Sequence, residues 1–195
     1  MRHDLLFPVS LAVTVGVAGV FSAFSGACAR VLARREHLVA GDPLPDIQAR
    51  DQDGTPVALS RYRGHPLVVY FYPKDRTSGC TLEAHEFRAD YPQFKAVGAE
   101  ILGVSNDDVA SHRDFCTKEG LSFPLLADPD QAIARAFGVK SILGLYQRIT
   151  FVIDGQGVVR RVFESVRPAG HSREVLAAVR ALPAGRPPGA SPAPL

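Results

Sequence analysis

Cys28, Cys80 and Cys116 are the only thiols in the 195-residue chain, and their spacing narrows what they can do. No two form a C-x-x-C pair, so neither a zinc ribbon nor thioredoxin-type exchange is written here, and three are too few for a disulfide scaffold. A free cysteine can be a plain core residue, so position has to decide. The apolar run Leu67–Tyr72 meets Pro73, a short polar turn follows, and Cys80 sits where a charged, amphipathic segment begins. This reads as a buried strand delivering a cysteine to the first turn of a helix, where unpaired backbone N–H groups favour a sulfur anion. Glu83 and Glu86 oppose that charge, so a cation must stand close. Lys74, Arg76 and Arg88 are local candidates, and a distant arginine is another.

Several cysteine chemistries fail on spacing. A phosphatase loop wants an arginine six positions after the nucleophile, where this chain has Glu86; a dithiol exchanger wants a cysteine three positions on, where it has Glu83. A hydrolase needs a histidine base, and nothing in the sequence sets His85 or His112 beside Cys80. His112 and Cys116 stand four apart on one helix, but no further ligands at metal spacing accompany them, so no metal site is expected. Peroxide reduction asks only for a thiolate, donors for the hydroperoxide and positive charge for the leaving oxygen.

The elements around Cys80 alternate. Apolar residues Ala84, Phe87, Tyr91, Phe94 and Val97 recur at helical spacing, and Ile101–Val104 reads as a second buried strand. Ser105–Asp108 supplies caps for a helix running to about Glu119 and stopped by Gly120. A strand over Phe123–Leu126 and a short helix over Asp130–Phe137 follow. Thr150–Ile153 and Val158–Phe163 flank Asp154-Gly155-Gln156-Gly157, a hairpin signal, and Ser172 is placed to cap a last helix ending before Pro183. This order predicts an α/β fold with a mixed central sheet flanked by helices on both faces, with ligands at the carboxyl ends of the strands.

The ends differ from the middle. Residues 5–29 carry no charge and, at about 1.5 Å per residue, are long enough to cross a bilayer as a helix. Residues 1–37 are therefore expected to be a membrane anchor or a signal segment with a basic flank. Arg30, Arg34 and Arg35 would keep a retained anchor's domain in the cytoplasm, whereas cleavage at Ala27-Cys28-Ala29 would export it, and compartment stays open. Residues 38–182 should form one domain and 183–195 a disordered tail rich in proline. With 22 Lys+Arg against 20 Asp+Glu there is no nucleic-acid footprint.

Pro73-Lys74-Asp75-Arg76-Thr77-Ser78-Gly79-Cys80 matches the Pro-x-x-x-Thr-x-x-Cys motif of the peroxiredoxins, and the run FYPKDRTSGCTLEAHEFR resembles their bacterioferritin-comigratory-protein, or PrxQ, branch. The similarity extends from about Pro45 to Ala181 and includes Arg148-Ile149-Thr150-Phe151-Val152-Ile153-Asp154. It implies a thioredoxin-like fold and a peroxidase acting on hydrogen peroxide and alkyl hydroperoxides; no haem or flavin signature appears, so no cofactor is expected, and the expected state is a monomer. It assigns Cys80 as the peroxidatic cysteine, Thr77 as a hydrogen-bonding partner of the peroxide, Pro73 as a shield and Arg148 as the cation. Many members of the branch carry a resolving cysteine five positions after the peroxidatic one; here that position is His85. The resemblance instead allows a Cys80–Cys116 disulfide, closed after local unfolding and reduced by thioredoxin or a similar dithiol, with resolution by an external thiol as the alternative. A non-enzymatic redox sensor or tethered signalling scaffold is the competing reading of the whole chain.

Overall fold

A computed structural model describes residues 36–183. In chain order the elements are β1 (Gln48–Asp51), β2 (Pro56–Ala58), a 3-10 turn (Leu59–Tyr62), β3 (Leu67–Phe71), α1 (Ser78–Ala96), β4 (Glu100–Ser105), α2 (Val109–Glu119), β5 (Leu125–Ala127), α3 (Ala132–Phe137), β6 (Ser141–Ile142), β7 (Leu145–Tyr146), β8 (Ile149–Ile153), β9 (Val159–Phe163) and α4 (His171–Arg180). Seven strands form one sheet in the order β2-β1-β5-β4-β3-β8-β9, and β6 pairs only with β7. The β3–β4 and β4–β5 pairs are parallel, whereas β3–β8, β8–β9, β1–β5 and β1–β2 are antiparallel. The sheet is therefore mixed, as the alternation of elements predicts.

Every residue of β3 is buried, because the strand lies mid-sheet and both of its faces are covered. Leu67, Val69 and Phe71 join Leu102, Val104, Phe137 and Phe151 on the face that carries α3 and the 3-10 turn. Val68, Tyr70 and Tyr72 point the other way, to Phe87 and Phe94 of α1, Phe115 of α2 and Val175 and Leu176 of α4. Tyr70 stacks on Phe87 at 4.7 Å between ring centroids and on Tyr72 at 5.4 Å. The space for its phenol comes from Gly103 of the neighbouring strand, where a Cβ would lie 2.7 Å from Tyr70 Oη and 2.5 Å from Leu125 Cδ2.

Some local signals resolve differently from the sequence reading. Ser172 is not the cap of α4. Gly170 holds that position, its N–H donates to both oxygens of Glu86 at 2.9 and 2.7 Å, and Ser172 lies inside the helix donating its hydroxyl to Asp90. The start of α3 is held by Asp128, which accepts from the N–H groups of Ile133 and Ala134 at 2.9 Å each. Val97 is the exposed cap residue of α1, so the buried stripe ends at Phe94. The β8–β9 hairpin is as expected, with Asp154 Oδ1 accepting from the N–H groups of Gln156 and Val158. The segment at 5–29, Cys28 and the tail beyond residue 183 lie outside the described residues.

Candidate active site

β3 ends inside the sheet, and the chain leaves it through Tyr72–Thr77 to enter α1. Asp75 is buried in this loop and fixes it: its carboxylate accepts from Tyr72 Oη at 2.7 Å, Ser111 Oγ at 2.8 Å and His112 Nδ1 at 2.9 Å, while its N–H donates to Asp107 at 2.9 Å. Burial raises the Asp75 carboxyl, but the bonds from His112, Tyr72 and Ser111 outweigh it and hold the group below the usual carboxylate range. Arg76 takes a left-handed backbone, φ 60°, and reaches Asp114 of α2 at 2.7 Å. Thr77 is then the cap position of α1, with its hydroxyl donating to Lys74 O at 3.1 Å instead of to the helix. Cys80 is the third residue of the helix and 2% exposed.

The β3–β8 register brings the cation. Phe71 pairs with Ile149, so the residue just before β8, Arg148, falls at the carboxyl end of β3 beside the loop. Its Nη2 donates to Cys80 Sγ at 3.3 Å, and its Nη1 bonds the carboxylate of Glu83. Gly79 leaves room for this approach, since a Cβ there would stand 3.4 Å from Nη2 and 3.7 Å from Pro168 Cγ. The local cations are engaged elsewhere: Arg76 with Asp114, Lys74 with Asp107 at 3.7 Å, and Arg88 with the carbonyl of Glu119. Arg148 is thus the cation that the structure brings to the sulfur.

Sequence reasoning treated Glu83 only as an unfavourable charge. In the structure it is fully buried one helical turn after Cys80, and its ion pair holds the guanidinium in place. Burial pushes its carboxyl up to about 7 against the pull of Arg148, and its Oε1 has no hydrogen-bond partner among the described residues. Burial also works against the charge of Arg148, but the Glu83 carboxylate and the Cys80 sulfur outweigh it and raise its affinity for the proton. The spacing Cys80-x-x-Glu83 was the available signal, since residues three apart share a helix face.

Cys80 and Cys116 are both free thiols and belong to one apolar cluster, on α1 and α2 respectively. Burial, with Asp75 a lesser contributor, pushes the Cys116 thiol up to about 12, so it rests protonated. Two ties hold α2 against α1 and the catalytic loop. At its start Ser111, His112 and Asp114 bind Asp75 and Arg76; at its end Glu119 binds His85 Nε2 at 2.6 Å and accepts from Arg88 through its carbonyl. His85 therefore faces α2. His112 spends its second nitrogen on Leu126 O at 3.2 Å, which leaves it nothing to offer a metal shared with Cys116. His171 is buried against Phe87 and Phe163 and bonds Thr150 Oγ1 at 2.9 Å.

The chain that builds this arrangement is similar to known proteins. The AhpC/TSA family model matches residues 40–162. The chain is 47% identical to peroxiredoxin Bcp of Xanthomonas campestris pv. campestris over 144 residues, covering 70% of this chain and 89% of that one. It is 43% identical to chloroplastic peroxiredoxin Q of Oryza sativa subsp. japonica, covering 73% of this chain and 67% of that one. Among solved structures, a PrxQ variant from Xylella fastidiosa superposes with a TM-score of 0.71 at 36% identity, covering 74% of this chain and 97% of that one. Peroxidoxin BcpB of Mycobacterium tuberculosis gives the same score and identity over 76% of this chain and 100% of its own. With its thioredoxin-like sheet and the Pro73–Cys80 motif at the head of α1, the chain belongs to the AhpC/TSA family, and within it to the Bcp/PrxQ peroxiredoxins.

Proposed function

We propose that Cys80 is the peroxidatic cysteine of this peroxiredoxin and that Cys116 resolves it. The carrying observation is the 3.3 Å contact from Arg148 Nη2 to Cys80 Sγ, made at the first turn of α1 with Glu83 fixing the far side of the guanidinium. The sulfur anion attacks the terminal oxygen of a hydroperoxide; the O–O bond breaks, Cys80 becomes a sulfenic acid, and the departing alkoxide takes a proton to leave as an alcohol or, from hydrogen peroxide, as water. Arg148 stabilises both the starting thiolate and the developing oxyanion. Thr77 donates its hydrogen to Lys74 O, which leaves its oxygen free to accept from the hydroperoxide O–H. Pro73, half-buried where the chain leaves β3, is assigned as the shield that keeps water from the sulfur.

Cys116 then attacks the sulfenic sulfur, water leaves, and an external dithiol of the thioredoxin class exchanges with the disulfide. The reading is supported by the shared apolar cluster of the two cysteines and by the protonated state of Cys116, which stays unreactive until α2 opens. Alkyl hydroperoxides are the expected substrates alongside hydrogen peroxide; alkyl peroxide reduction is the activity named for the solved Xanthomonas campestris bacterioferritin comigratory protein, 41% identical to this chain. The uncharged stretch 5–29 is read as a retained membrane tether, on its length and the arginines that follow it.

Purified chain should consume peroxide when coupled to a thioredoxin system, and Cys80→Ser should abolish turnover; a Cys80→Ser variant that still turns over refutes the assignment. Cys116→Ser should leave the first oxidation intact and remove the internal disulfide. Peptide mapping that still finds Cys80 in an internal bridge would contradict the resolving role.

A further inference from the structure

The described residues expose five large hydrophobic side chains, and three of them crowd one six-residue hairpin: Ile142 at 74%, Leu143 at 98% and Leu145 at 45%. The turn is tight, with Ser141 opposite Tyr146 and Ile142 opposite Leu145. Both central residues have positive φ, 53° for Leu143 and 79° for Gly144. Asn or Gly is the ordinary occupant of such a first position, because a larger side chain is strained there. This chain instead holds a leucine in a strained backbone and points it at solvent, which is where an outlier supports a functional reading. The hairpin is not loose: Tyr146 Oη donates to Asp128 Oδ2 at 2.7 Å, and Gln147 N–H closes its base on Lys140 O at 2.9 Å.

The entry of the chain lies against the base of this hairpin. Glu36 pairs with Lys140 at 2.7 Å, Leu38 N–H donates to Phe137 O at 2.9 Å, and Gly138 passes so close that a Cβ there would stand 2.5 Å from Glu36 O. The seven residues from Arg30 to Glu36 join this point to the uncharged stretch, and they reach at most about 25 Å when fully extended. Arg30, Arg34 and Arg35 in that link are of the sign that suits an anionic lipid surface. Arg148 follows β7 by two residues, so Gln147 alone separates the hairpin from the arginine that faces Cys80.

We propose that the Ser141–Tyr146 hairpin is a membrane-contact element, which sets its apolar tip into the interfacial layer of the bilayer that holds residues 5–29 and so turns the Cys80 site toward hydroperoxides of membrane lipids. The inference rests on the reading of 5–29 as a retained tether. An apolar loop binds an interface through the area it buries, and arginines next to a tether add attraction to anionic headgroups. The tether supplies proximity and the hairpin supplies orientation.

The chain has no tryptophan, so Leu143→Trp places the sole indole at the hairpin tip. The full chain carrying it is reconstituted in vesicles of phosphatidylcholine and phosphatidylglycerol with lipids brominated at graded depths. Blue-shifted emission, quenched most by bromines near the glycerol end, is expected, with solvent-like emission from Val97→Trp at the far end of α1. Solvent-like emission from Leu143→Trp, in chain that resists alkaline carbonate extraction, overturns the hairpin contact and leaves the tether standing. Release by carbonate, or a mature N-terminus at Arg30, overturns the tether and this inference with it, leaving the peroxidase reading untouched. A blue shift that ignores brominated lipid and grows with protein density identifies a second copy as the occupant and also overturns the proposal. In the same vesicles, Ile142→Glu with Leu143→Glu should lower turnover of a phospholipid hydroperoxide about tenfold and leave hydrogen peroxide turnover unchanged; equal effects on both substrates refute it.

Discussion

In the proposed cycle, His112 governs how readily Cys116 reaches Cys80. Its Nδ1 donates to the Asp75 carboxylate at 2.9 Å, its Nε2 is spent on Leu126 O at 3.2 Å, and both side chains of the pair are buried. A disulfide needs Cα atoms within roughly 7 Å, and Asp75 and Arg76 grip the first turn of the helix that carries Cys116. The proposed closure follows a local opening that breaks the His112–Asp75 bond. A hydrogen bond to a charged partner contributes about 1.5–3 kcal/mol, equivalent to roughly 10- to 150-fold in an opening equilibrium. His112→Gln can still bond Leu126 O but withdraws the group facing Asp75, so disulfide closure should accelerate by about one to two orders of magnitude. His112→Asn places an amide N–H near the Nδ1 position and should close at close to the wild-type rate. The assay is single-turnover oxidation with one equivalent of hydroperoxide, acid quenching, alkylation and timed quantification of the Cys80–Cys116 peptide. Closure of His112→Gln at or below the wild-type rate, or equal acceleration in His112→Asn, would refute the latch. Faster closure also shortens the sulfenic acid lifetime, so His112→Gln should resist overoxidation at high peroxide.

Arg148→Gln removes the donor 3.3 Å from Cys80 and leaves Glu83 buried without its counter-ion; stopped-flow peroxide consumption should fall about 10- to 150-fold, and a rate within about threefold of wild type would contradict the site. Glu83 holds its proton up to about 7 in the folded chain, against 4.5 for an ordinary glutamate. The folded state therefore binds that proton more tightly, so its contribution to stability is full below the unfolded value and declines as pH rises to about 7. Urea midpoints should lose that slope between these limits in Glu83→Gln; an unchanged slope would show that the carboxyl does not titrate there. Gly103→Ala drives a methyl against Leu125 and the Tyr70 phenol, and should cost about 1–3 kcal/mol, read as a fall of several degrees in Tm.

The strand, loop and helix around Cys80 were legible because each signal is local: a run of apolar residues, a proline, and helical spacing downstream of the cysteine. The β8–β9 hairpin was legible for the same reason. What the sequence hides is long-range pairing. Arg148 was reached through family resemblance, and its meeting with Cys80, 68 positions away, depends on the β3–β8 register. Asp75 reads as an ordinary polar loop residue until α2, some 37 positions on, supplies His112. Ser172 looked like a cap because serine caps helices well, but Glu86 from α1 bonds Gly170 and moves the helix start by two residues. The β6–β7 hairpin went unseen, since two-residue strands leave no period and Leu143-Gly144 is not a usual turn pair.

The tie between His85 and Glu119 bears on how such chains diverge. A histidine here joins α1 to the last turn of α2 and profits from α1 staying wound. A thiol at the same position would give up that joint, since it has no ring nitrogen to bond Glu119. One site can thus serve either as a mechanical joint or as a reagent, and a chain that carries a thiol there alongside Cys116 stands between the two. His85→Cys in this background would make that intermediate directly: a chain with two rival resolving thiols, in which the helix that melts first takes the sulfenic acid.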